Sequence, residues 1–534
     1  MKIKDRLNKY KGYVLNLLVP ALVFGFITGT LTSVIVVLYK LCAKHIIHLS
    51  ENAYVYLRAH LYLLPLVLLL ALGISGLLAY IYKKSPNIKG GGIPTSVGIL
   101  RGIITFKWLK NLIGVFVLSL ISFLIGVPLG NEGPSVQMGT AIGRGSVYTF
   151  AKKHRAWDRY SMTGGACAGF SVATGAPISG ILFAIEEAHQ RISPTIVIVA
   201  SSSVLFANIT SKLLCPLVGV SERLFEIPGI PALSVKEYWL PLVVGLTVGL
   251  FSVAFLYYYR LIDNFHDKTL QKVPHFLKIF AILAITVILG IVSFSNVSTG
   301  HELILELFEN KKTVLTLAII LIVRTTLTLS ANASGITGGV FIPILALGAL
   351  VASLVGEGLL ALGVDSELYT LILVLGITAC ISGSMKMPLT AIIFSIEALS
   401  CYDNIIPVVI TAFIAFLVTE MFGVKSINDV VIESRMDDED SVAEPRVIDT
   451  FVTVQKGAFA IGKQIRDIFW PRNLFVLSLK HTSSNAEVDE HGGKEIREGD
   501  ILHIRYTAVD DLTSQELLAI VGNQTITENI DEKI

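Results

Sequence analysis

The chain has 534 residues, of which 53% are apolar and 16% are charged, and its 43 lysines and arginines nearly balance 41 aspartates and glutamates. Soluble globular proteins carry about 25% charged residues, so this chain has too few charges to cover a water-exposed surface of its size. The composition predicts a membrane protein. A formal net charge of +2 offers no excess positive charge for nucleic-acid binding, so we expect a lipid bilayer as partner and no nucleic acid.

The N-terminus begins with the basic run MKIKDRLNKYK, followed by an apolar segment from Val14 to Leu41. This segment is longer than the core of a signal peptide, and no A-x-A-like cleavage site closes it, so we predict an uncleaved first span. Basic residues also cluster at 107–110 and 152–159. Because short cytoplasmic loops are rich in lysine and arginine, we place these clusters and the N-terminus in the cytoplasm.

Apolar runs of spanning length follow one another as far as about Phe422. A helix needs about 20 apolar residues to cross a bilayer, and further spans are predicted at 61–82, 111–128, 192–214, 237–260, 277–296, 313–330, 340–363 and 366–384. Shorter apolar pieces, interrupted by glycine and proline, lie at 90–100, 132–150, 172–187 and 388–400. Broken backbone at membrane depth is tolerated only where protein or a wet cavity covers it, so these pieces predict a transport pathway.

After Gly423 the composition changes to mixed charge and passes through the acidic run MDDED. We predict a transmembrane domain over 1–433 with halves at about 14–215 and 237–424, an acidic linker over 434–445, a cytoplasmic domain over 446–525 and a tail over 526–534. Within the cytoplasmic domain we expect strands at 446–455, 473–480, 485–489 and 500–507, and helices at 460–469 and from about Asp511.

Two motifs of the first half recur in the second half. GNEGPSVQMG at 130–139 and GVFIPILALG at 339–348 share the pattern G-x-x-x-P-x-x-x-x-G, and PISGILFAIEEA at 177–188 is similar to PLTAIIFSIEAL at 388–399. Paired segments interrupted by glycine and proline indicate a binding site near the bilayer midplane of a repeat-built transporter. Chance similarity of apolar helices is the alternative, but two motifs in register favour an internal repeat.

Glu132 lies between glycines in the first of these motifs. An ionised carboxylate at the bilayer centre costs at least a few kcal/mol, so it must meet a positive potential or take up a proton. A helix beginning near Pro134 would direct its free N–H groups and its positive dipole end to this point. We therefore predict an anion site in which Glu132 competes with the anion; the alternative is a carboxylate that only caps its helix.

GGGIP at 90–94 and GVFIP at 339–343 also place glycine-rich backbone and a proline at a helix start. Three or four such N-termini would form an anion site from backbone dipoles without a fixed lysine or arginine, which suits rapid passage. Each motif alone more often serves close helix packing, and the combination favours the anion site.

Glu186 and Glu187 end an apolar stretch near the face that we place in the cytoplasm. A carboxylate at the membrane edge is a candidate proton relay, although such a pair at a helix end is equally often only solvated. Glu397 and Ala398 occupy the corresponding positions of the second half. Glu187 therefore has no counterpart in the repeat and is the stronger candidate.

Other potentially reactive residues give weak signals. We interpret the five cysteines as small core residues, because Cys42, Cys167, Cys215, Cys380 and Cys401 lie singly in or beside apolar stretches. His45 and His48 lack a third metal ligand nearby. GAFAIGKQ at 457–464 nearly matches a phosphate loop, but Gln464 replaces the hydroxyl that binds magnesium. We therefore expect no enzyme, no metal and no cofactor.

In this order and spacing, GGGIP, GNEGP, GILFAIEEA and GVFIP resemble the motifs of the CLC family of chloride channels and proton-coupled anion antiporters. The resemblance covers about residues 15–433. It implies an all-α polytopic membrane protein, a homodimer in which each subunit has a pore between two inverted halves of tilted and partial helices. It also implies that Glu132 is the outer gating glutamate and Glu187 the inner proton relay. Family channels usually lack an acid at the relay position, so Glu187 favours an antiporter.

The resemblance also indicates the residues around the anion. They are Gly91, Gly92, Ile93, Pro94, Gly130, Asn131, Gly133, Pro134, Gly339, Val340, Phe341, Pro343 and Asn428. Three of them depart from the family pattern: Gly91 replaces the serine of GSGIP, Asn131 the arginine of GREGP, and Asn428 the tyrosine that closes the inner side of the pore. The first two departures are similar to the fluoride-exporting branch, whereas Phe341 and Glu187 are similar to the chloride type, which we favour.

AFAIGKQIRDI and REGDILHIRY of the cytoplasmic domain resemble the TrkA-C or RCK-C module of potassium-uptake and cation-antiport proteins. In that family the modules dimerise and often bind a small ligand. The resemblance implies a small α/β regulatory domain with an effector such as cyclic di-AMP or another nucleotide.

The sequence thus predicts a chloride/proton antiporter of the bacterial inner membrane, multi-pass, with cytoplasmic termini and a regulatory domain. A passive chloride channel and a fluoride/proton antiporter are the alternatives. A cation-uptake subunit is a third hypothesis, against which the absence of a TVGYG-like carbonyl filter argues.

Overall fold

The computed structural model describes residues 17–90, 92–152, 154–225, 227, 229–439, 446–471, 474–481, 487–489, 493–508 and 511–522. These residues form a body of helices followed by a small domain that contains the strands. The helices are Val19–Ala59, Leu64–Lys84, Ile93–Leu100, Trp108–Ile125, Glu132–Phe150, Asp158–Thr174, Pro177–Phe183, Pro194–Val218, Trp239–Asn264, His275–Val292, Phe294–Val297, His301–Glu309, Val314–Ala333, Phe341–Ala361, Tyr369–Met385, Pro388–Glu397, Ile405–Met421, Ile427–Glu439 and Asp511–Val521.

The helical body has the composition of a multi-pass membrane protein. Within the described ranges, nine helices are long and apolar enough to cross a membrane, which confirms the predicted fold class. Large apolar side chains such as Leu66, Leu70 and Leu213 point outwards and are more than half exposed. Lipid, rather than water, is the solvent that such a surface requires.

The first helix is longer than the predicted span. It runs from Val19 to Ala59 over 41 residues, or about 60 Å at 1.5 Å per residue, whereas the sequence predicted a span from Val14 to Leu41. Residues 14–16 of that span lie outside the described residues. Because the hydrocarbon core of a bilayer is about 30 Å thick, the helix must be tilted or extend beyond it.

The predicted broken pieces are partial helices. They are Ile93–Leu100, Glu132–Phe150, Pro177–Phe183 and Pro388–Glu397. The third continues into a π-helical turn at Ala184–Ala188, which contains Glu186 and Glu187. π-Helical turns are rare in proteins, and those that occur are often found at functional sites.

The two halves of the repeat meet through the backbone of their shared motif. Gly130 N–H donates to the Gly339 carbonyl at 2.6 Å, and Gly339 N–H donates to the Gly130 carbonyl at 2.8 Å. A Cβ on Gly133 would lie 2.7 Å from the Cα of Gly339 and 2.9 Å from the Cα of Gly92. Three backbone segments therefore touch at one point, which only glycine permits.

The C-terminal domain is built on a four-stranded antiparallel sheet. Its strands are β1 (Arg446–Thr453), β2 (Leu474–Lys480), β3 (Glu487–Asp489) and β4 (Ile501–Ala508), in the order β1-β4-β2-β3. Val452, Leu502, Ile504 and Leu517 lie in its core. The closing helix begins at Asp511, as the sequence predicts. Residues 485–486 of the predicted third strand lie outside the described residues.

The predicted helix at 460–469 is wrong. The segment consists of turns with a single 3₁₀ turn at Ile465–Asp467. Gly462, with φ +78°, donates its N–H to the Ile496 carbonyl at 2.8 Å, and Ile496 N–H donates to the Lys463 carbonyl at 2.9 Å. The segment pairs with a distant part of the chain, so its backbone is not available for the i to i−4 bonds of a helix.

Substituting Gly339 should test the glycine contact. In Gly339→Ala the new Cβ would lie 2.7 Å from Gly133 N, and backbone atoms cannot move aside as a flexible side chain can. We expect a destabilisation of at least about 1–3 kcal/mol, measured as a lower thermal unfolding midpoint in detergent. The matched control is Gly358→Ala, where the new Cβ would have no neighbour within 4 Å. Equal losses in both variants would contradict the role of the contact.

Candidate functional site

Three helix starts converge beside the glycine contact. Helices begin at Ile93, Glu132 and Phe341, and each has one of the touching glycines, Gly92, Gly133 and Gly339, within two residues of its first residue. The first N–H groups of a helix have no partner within the helix, and its N-terminus carries a partial positive charge. Their convergence produces a positive potential without a charged side chain, which suits an anion.

A fourth helix start lies on the side of Arg101 and Glu187. The helix Ile427–Glu439 packs against Ile93–Leu100, and the second residue of this helix, Asn428, is fully buried. Neither side-chain polar atom of Asn428 has a hydrogen-bond partner among the described residues. The predicted anion-site residues thus lie at these four helix starts and the glycine segments before them, except Gly91, which is outside the described residues.

Gln137 is a part of the site that the sequence analysis missed. Its Oε1 accepts the N–H of Gly92 at 2.6 Å, and its Nε2 donates to the carbonyl of Asn87 at 3.1 Å and to Oδ1 of Asn111 at 3.2 Å. The N–H of Gly92, assigned above to the anion, therefore binds Gln137 in this structure. A lone glutamine within an apolar helix was the available signal, since buried amides need partners.

Glu132 lies at the convergence point. It is the first residue of its helix, its side chain is fully buried, and neither carboxylate oxygen has a hydrogen-bond partner in the described part of the chain. A side chain at Gly130 would meet Oε2 of Glu132, so the carboxylate lies over the glycine contact. A carboxylate without donors in such a place requires either a proton or the positive potential of the helix starts.

Glu187 lies in the π-helical turn and is 2% exposed. Its Oε1 has no partner among the described residues, and Asn428 lies beside it. The backbone carbonyl of Glu187 accepts a bond from Nη2 of Arg101 at 2.8 Å, and Nη1 of Arg101 forms an ion pair with Asp429 at 2.8 Å. Arg101 thus fixes the backbone that carries Glu187 and makes no hydrogen bond to its carboxyl group.

Glu186, the neighbour of Glu187, has a structural role. Its carboxylate accepts the N–H groups of Leu389 and Thr390 at 2.9 and 2.6 Å, and the Thr390 hydroxyl at 2.7 Å. Glu397 accepts the N–H groups of Ile178 and Ser179 at 2.8 and 2.9 Å. Each glutamate caps the N-terminus of the partial helix in the other half. This structural role distinguishes Glu186 from Glu187.

A row of aromatic side chains runs from the helix start near Glu132 towards Glu187. Phe341 is fully buried, and its ring lies edge-on to Phe170 and Phe394 at 5.2 and 5.4 Å between centroids. Phe170 stacks on Phe183 at 5.6 Å, four residues before Glu187. Of these four phenylalanines, only Phe341 is among the residues predicted from the sequence. Phe183 and Phe394 were detectable, because they have the same offset from the prolines of the repeat.

The C-terminal domain contacts the chain just beyond Glu187. The Tyr160 hydroxyl donates to the Asp467 carbonyl at 2.9 Å and accepts the Phe469 N–H at 3.2 Å. The Phe469 ring lies 4.4 Å from the rings of both Tyr160 and His189. Burial, together with Arg191 and other nearby arginines, holds the pKa of His189 well below its usual value, so this contact is made by a neutral imidazole.

The capping glutamates and the unbound glutamate should differ in their effect on stability. Glu186→Gln and Glu397→Gln each weaken charge-assisted bonds to a helix start, and we expect each to cost about 1–3 kcal/mol. Glu187→Gln removes a buried carboxylate with an unsatisfied oxygen, so its unfolding midpoint should equal or exceed that of the wild type. Thermal unfolding of the three variants in one detergent is the measurement. A loss in Glu187→Gln as large as in Glu186→Gln would contradict this assignment.

Comparison with known proteins identifies a matching family and relatives of similar sequence. The family model described as "Voltage gated chloride channel" matches residues 74–420. The H(+)/Cl(-) exchange transporter ClcA of Salmonella arizonae is 27% identical over 427 residues, which cover 79% of this chain and 89% of the relative. The protein of the same name from Salmonella typhimurium is 27% identical over 422 residues, which cover 78% and 88%.

Solved structures share the fold. A crystal structure of a slow cyanobacterial Cl-/H+ antiporter superposes with a TM-score of 0.71 and 25% identity over 79% of this chain and 98% of the other. A CLC-type fluoride/proton antiporter gives a TM-score of 0.60 and 19% identity over 76% and 96%, a likeness of fold alone. With the family model matching well over half of its length, the chain belongs to the CLC family of voltage gated chloride channels.

Proposed function

We propose that this protein exchanges chloride for protons across the bacterial inner membrane, with both termini in the cytoplasm. The Salmonella relatives are named H(+)/Cl(-) exchange transporters, and the cyanobacterial structure is that of a Cl-/H+ antiporter. The observation that carries the proposal is the pair Glu132 and Glu187: both are buried, and each has carboxylate oxygen without a partner among the described residues.

The anion step depends on Glu132. When ionised, its carboxylate occupies the place where the helix starts converge, which is the place that an anion would take. Protonation removes the charge that holds the side chain there, so the side chain leaves and an anion replaces it. Anion binding and protonation of Glu132 therefore favour each other, which is the linkage that exchange requires.

The proton step uses Glu187 on the cytoplasmic side. This acid takes up a proton from the cytoplasm or releases it there, while Arg101 holds its backbone in place. The rings of Phe341, Phe170 and Phe183 form a continuous row from the helix start that follows Gly339 to the residue four positions before Glu187. Apolar surroundings disfavour an ion more than a neutral acid, so the anion and the proton follow different routes on the inner side.

Two alternatives share most of these features. A passive chloride channel would need the helix starts but no acid at position 187, so the buried Glu187 favours the antiporter. Two features of the sequence favour a fluoride/proton antiporter. Asn131, next to Glu132, is neutral, and the glycines before Ile93 supply no hydroxyl. Uptake of chloride, fluoride and nitrate by the same liposomes separates these anions.

Transport in liposomes tests the proposal. An outward or inward chloride gradient should drive protons uphill in the wild type. We expect Glu132→Gln and Glu187→Gln to abolish proton movement, because an amide cannot carry a proton, while chloride flux persists. Glu186→Gln is the matched control, since its carboxylate only caps a helix; it should retain coupling. Coupled proton transport in Glu132→Gln, or its loss in Glu186→Gln alone, would contradict the assigned roles.

The homodimer is part of the same proposal. The partial helices that Glu186 and Glu397 cap carry Ile178 and Leu389 at corresponding positions of the repeat, and each side chain is 53% exposed. Phe413 on the helix Ile405–Met421 is 54% exposed. Apolar side chains from both halves thus lie on the outer surface beside the capped helices, and this supports a second subunit there.

We also propose that the C-terminal domain, as a TrkA-C-like module, regulates transport. It is in contact with the chain next to Glu187 through Phe469 and His189, whose ring centroids are 4.4 Å apart. A cleft at this contact is lined by arginines, among them Arg155 and Arg159, and by Glu516. Such a cleft suits the phosphates of cyclic di-AMP or another nucleotide, as arginine recognises phosphate through paired hydrogen bonds.

Releasing the contact tests the regulatory role. An aromatic pair contributes about 0.5–1.5 kcal/mol, so Phe469→Ala should free the segment after Glu187 and raise turnover about two- to tenfold, measured as chloride flux in liposomes. Phe475→Ala is the control, because this side chain is 65% exposed on β2, and it should leave turnover unchanged. The proposal is wrong if both variants transport at the wild-type rate.

A further inference from the structure

We infer that Lys40 is a positioning residue for the anion, which it attracts at the outer mouth of the pathway and passes to the helix starts beside Glu132. This inference rests on the proposed anion transport. Lys40 lies in the first helix, Val19–Ala59, and no motif considered above includes it. Its position, its hydrogen bonds and the charges around it together support the assignment.

Lys40 lies on the face opposite to the C-terminal domain. The helix Asp158–Thr174 contacts that domain at its beginning, through Arg159 and Tyr160. Lys40 binds the other end of the same helix, since its Nζ donates to the carbonyl of Val172 at 3.2 Å. With the C-terminal domain in the cytoplasm, Lys40 is at the outer mouth.

The ammonium group is close to Glu132. Gly169, three residues before Val172, is in tight contact with Ser135 through the Ser135 carbonyl, and Ser135 is three residues after Glu132. The two helices run antiparallel, so these offsets place Val172, whose carbonyl holds Nζ of Lys40, level with Glu132 on the neighbouring helix. Lys40 is accordingly among the charged groups that act on Glu132.

Lys40 retains a hydrogen-bond donor for an anion. Its two described bonds go to backbone carbonyls, of Val172 at 3.2 Å and of Ser221 at 3.0 Å, and it forms no ion pair with a carboxylate in the described ranges. A lysine ammonium has three donors, so one donor remains for an anion. Glu132 and Glu222 are the carboxylates that act on it at longer range.

The loop at 219–225 frames the mouth above Lys40. Lys44 donates to the Gly219 carbonyl at 2.8 Å, and Nε2 of His301 is 2.7 Å from the Leu224 carbonyl. The ring of His301 stacks on Phe225 at 5.1 Å. His301 also acts on Glu132, so Lys40 and His301 act on this carboxylate from the two halves, whereas Lys44 only binds the loop and Asn131 beside Glu132 is neutral.

This arrangement suits capture followed by release. A positive charge in a cleft with apolar walls raises the local concentration of anions and their rate of entry. Lysine is a compact, strongly hydrated charge, whereas the planar fork of arginine binds anions at two points. Lys40 can therefore attract the anion without retaining it, and the helix starts below receive it.

The test compares two lysines one turn apart on the same helix. Lys40→Gln removes the positive charge and keeps an N–H donor for the loop at Ser221. Lys44→Gln makes the same change at a lysine that binds the loop at Gly219. In the full-length protein in liposomes, we expect Lys40→Gln to raise the KM for external chloride about tenfold with little change in kcat and a weaker dependence on ionic strength. Lys44→Gln should leave the KM for chloride unchanged. Lys40→Arg keeps the positive charge, so its KM should stay close to the wild-type value.

An unchanged KM in Lys40→Gln, or an equal rise in Lys44→Gln, would overturn the inference, because the lysines would then only hold the loop. Proton coupling distinguishes this result from a failure of the proposed function. The coupling should persist in Lys40→Gln, whereas a wild type that moves chloride but no protons would refute antiport and still allow the KM comparison.

Discussion

The backbone pair between Gly130 and Gly339 is the contact on which the site depends. It joins the two halves of the repeat at their shared motif, and the adjoining contacts of Gly133 with Gly92 and Gly339 bring three helix starts together. A single helix start gives only a partial charge, and convergence makes the potential large enough for an anion. Any side chain at these glycines would separate the helix starts and remove the potential.

The acids of the protein divide by their hydrogen bonds. Glu186 and Glu397 each accept several donors at a helix start in the other half, so their carboxylates are held in structural contacts. Glu132 and Glu187 are buried with carboxylate oxygens that lack a described partner. In the proposed transport cycle, a carboxyl group without fixed hydrogen-bond donors is the one that can take up and release a proton.

Fixed positive charge lies beside the pathway and not at its centre. Arg101 binds the backbone of Glu187 and pairs with Asp429, and Lys40 binds two backbone carbonyls near the end of the helix Asp158–Thr174 that is farther from the C-terminal domain. The helix starts converge at the position of Glu132 itself, and Lys40 and His301 act on its carboxylate without forming an ion pair with it among the described residues. In the proposed pathway an anion is attracted at the entrance and held weakly at the centre, which is consistent with rapid passage.

The sequence by itself determined the spans, the broken helices, the repeat and the position of Glu132, because the spacing of apolar residues, glycine and proline is a local property of the chain. Only the tertiary structure decided that Gln137 binds Gly92, that Glu186 is a cap and that Lys40 lies near Glu132. It also replaced the expected helix at 460–469 with turns that pair with Ile496. These features depend on contacts between distant residues, which packing of the whole chain creates and no local pattern records.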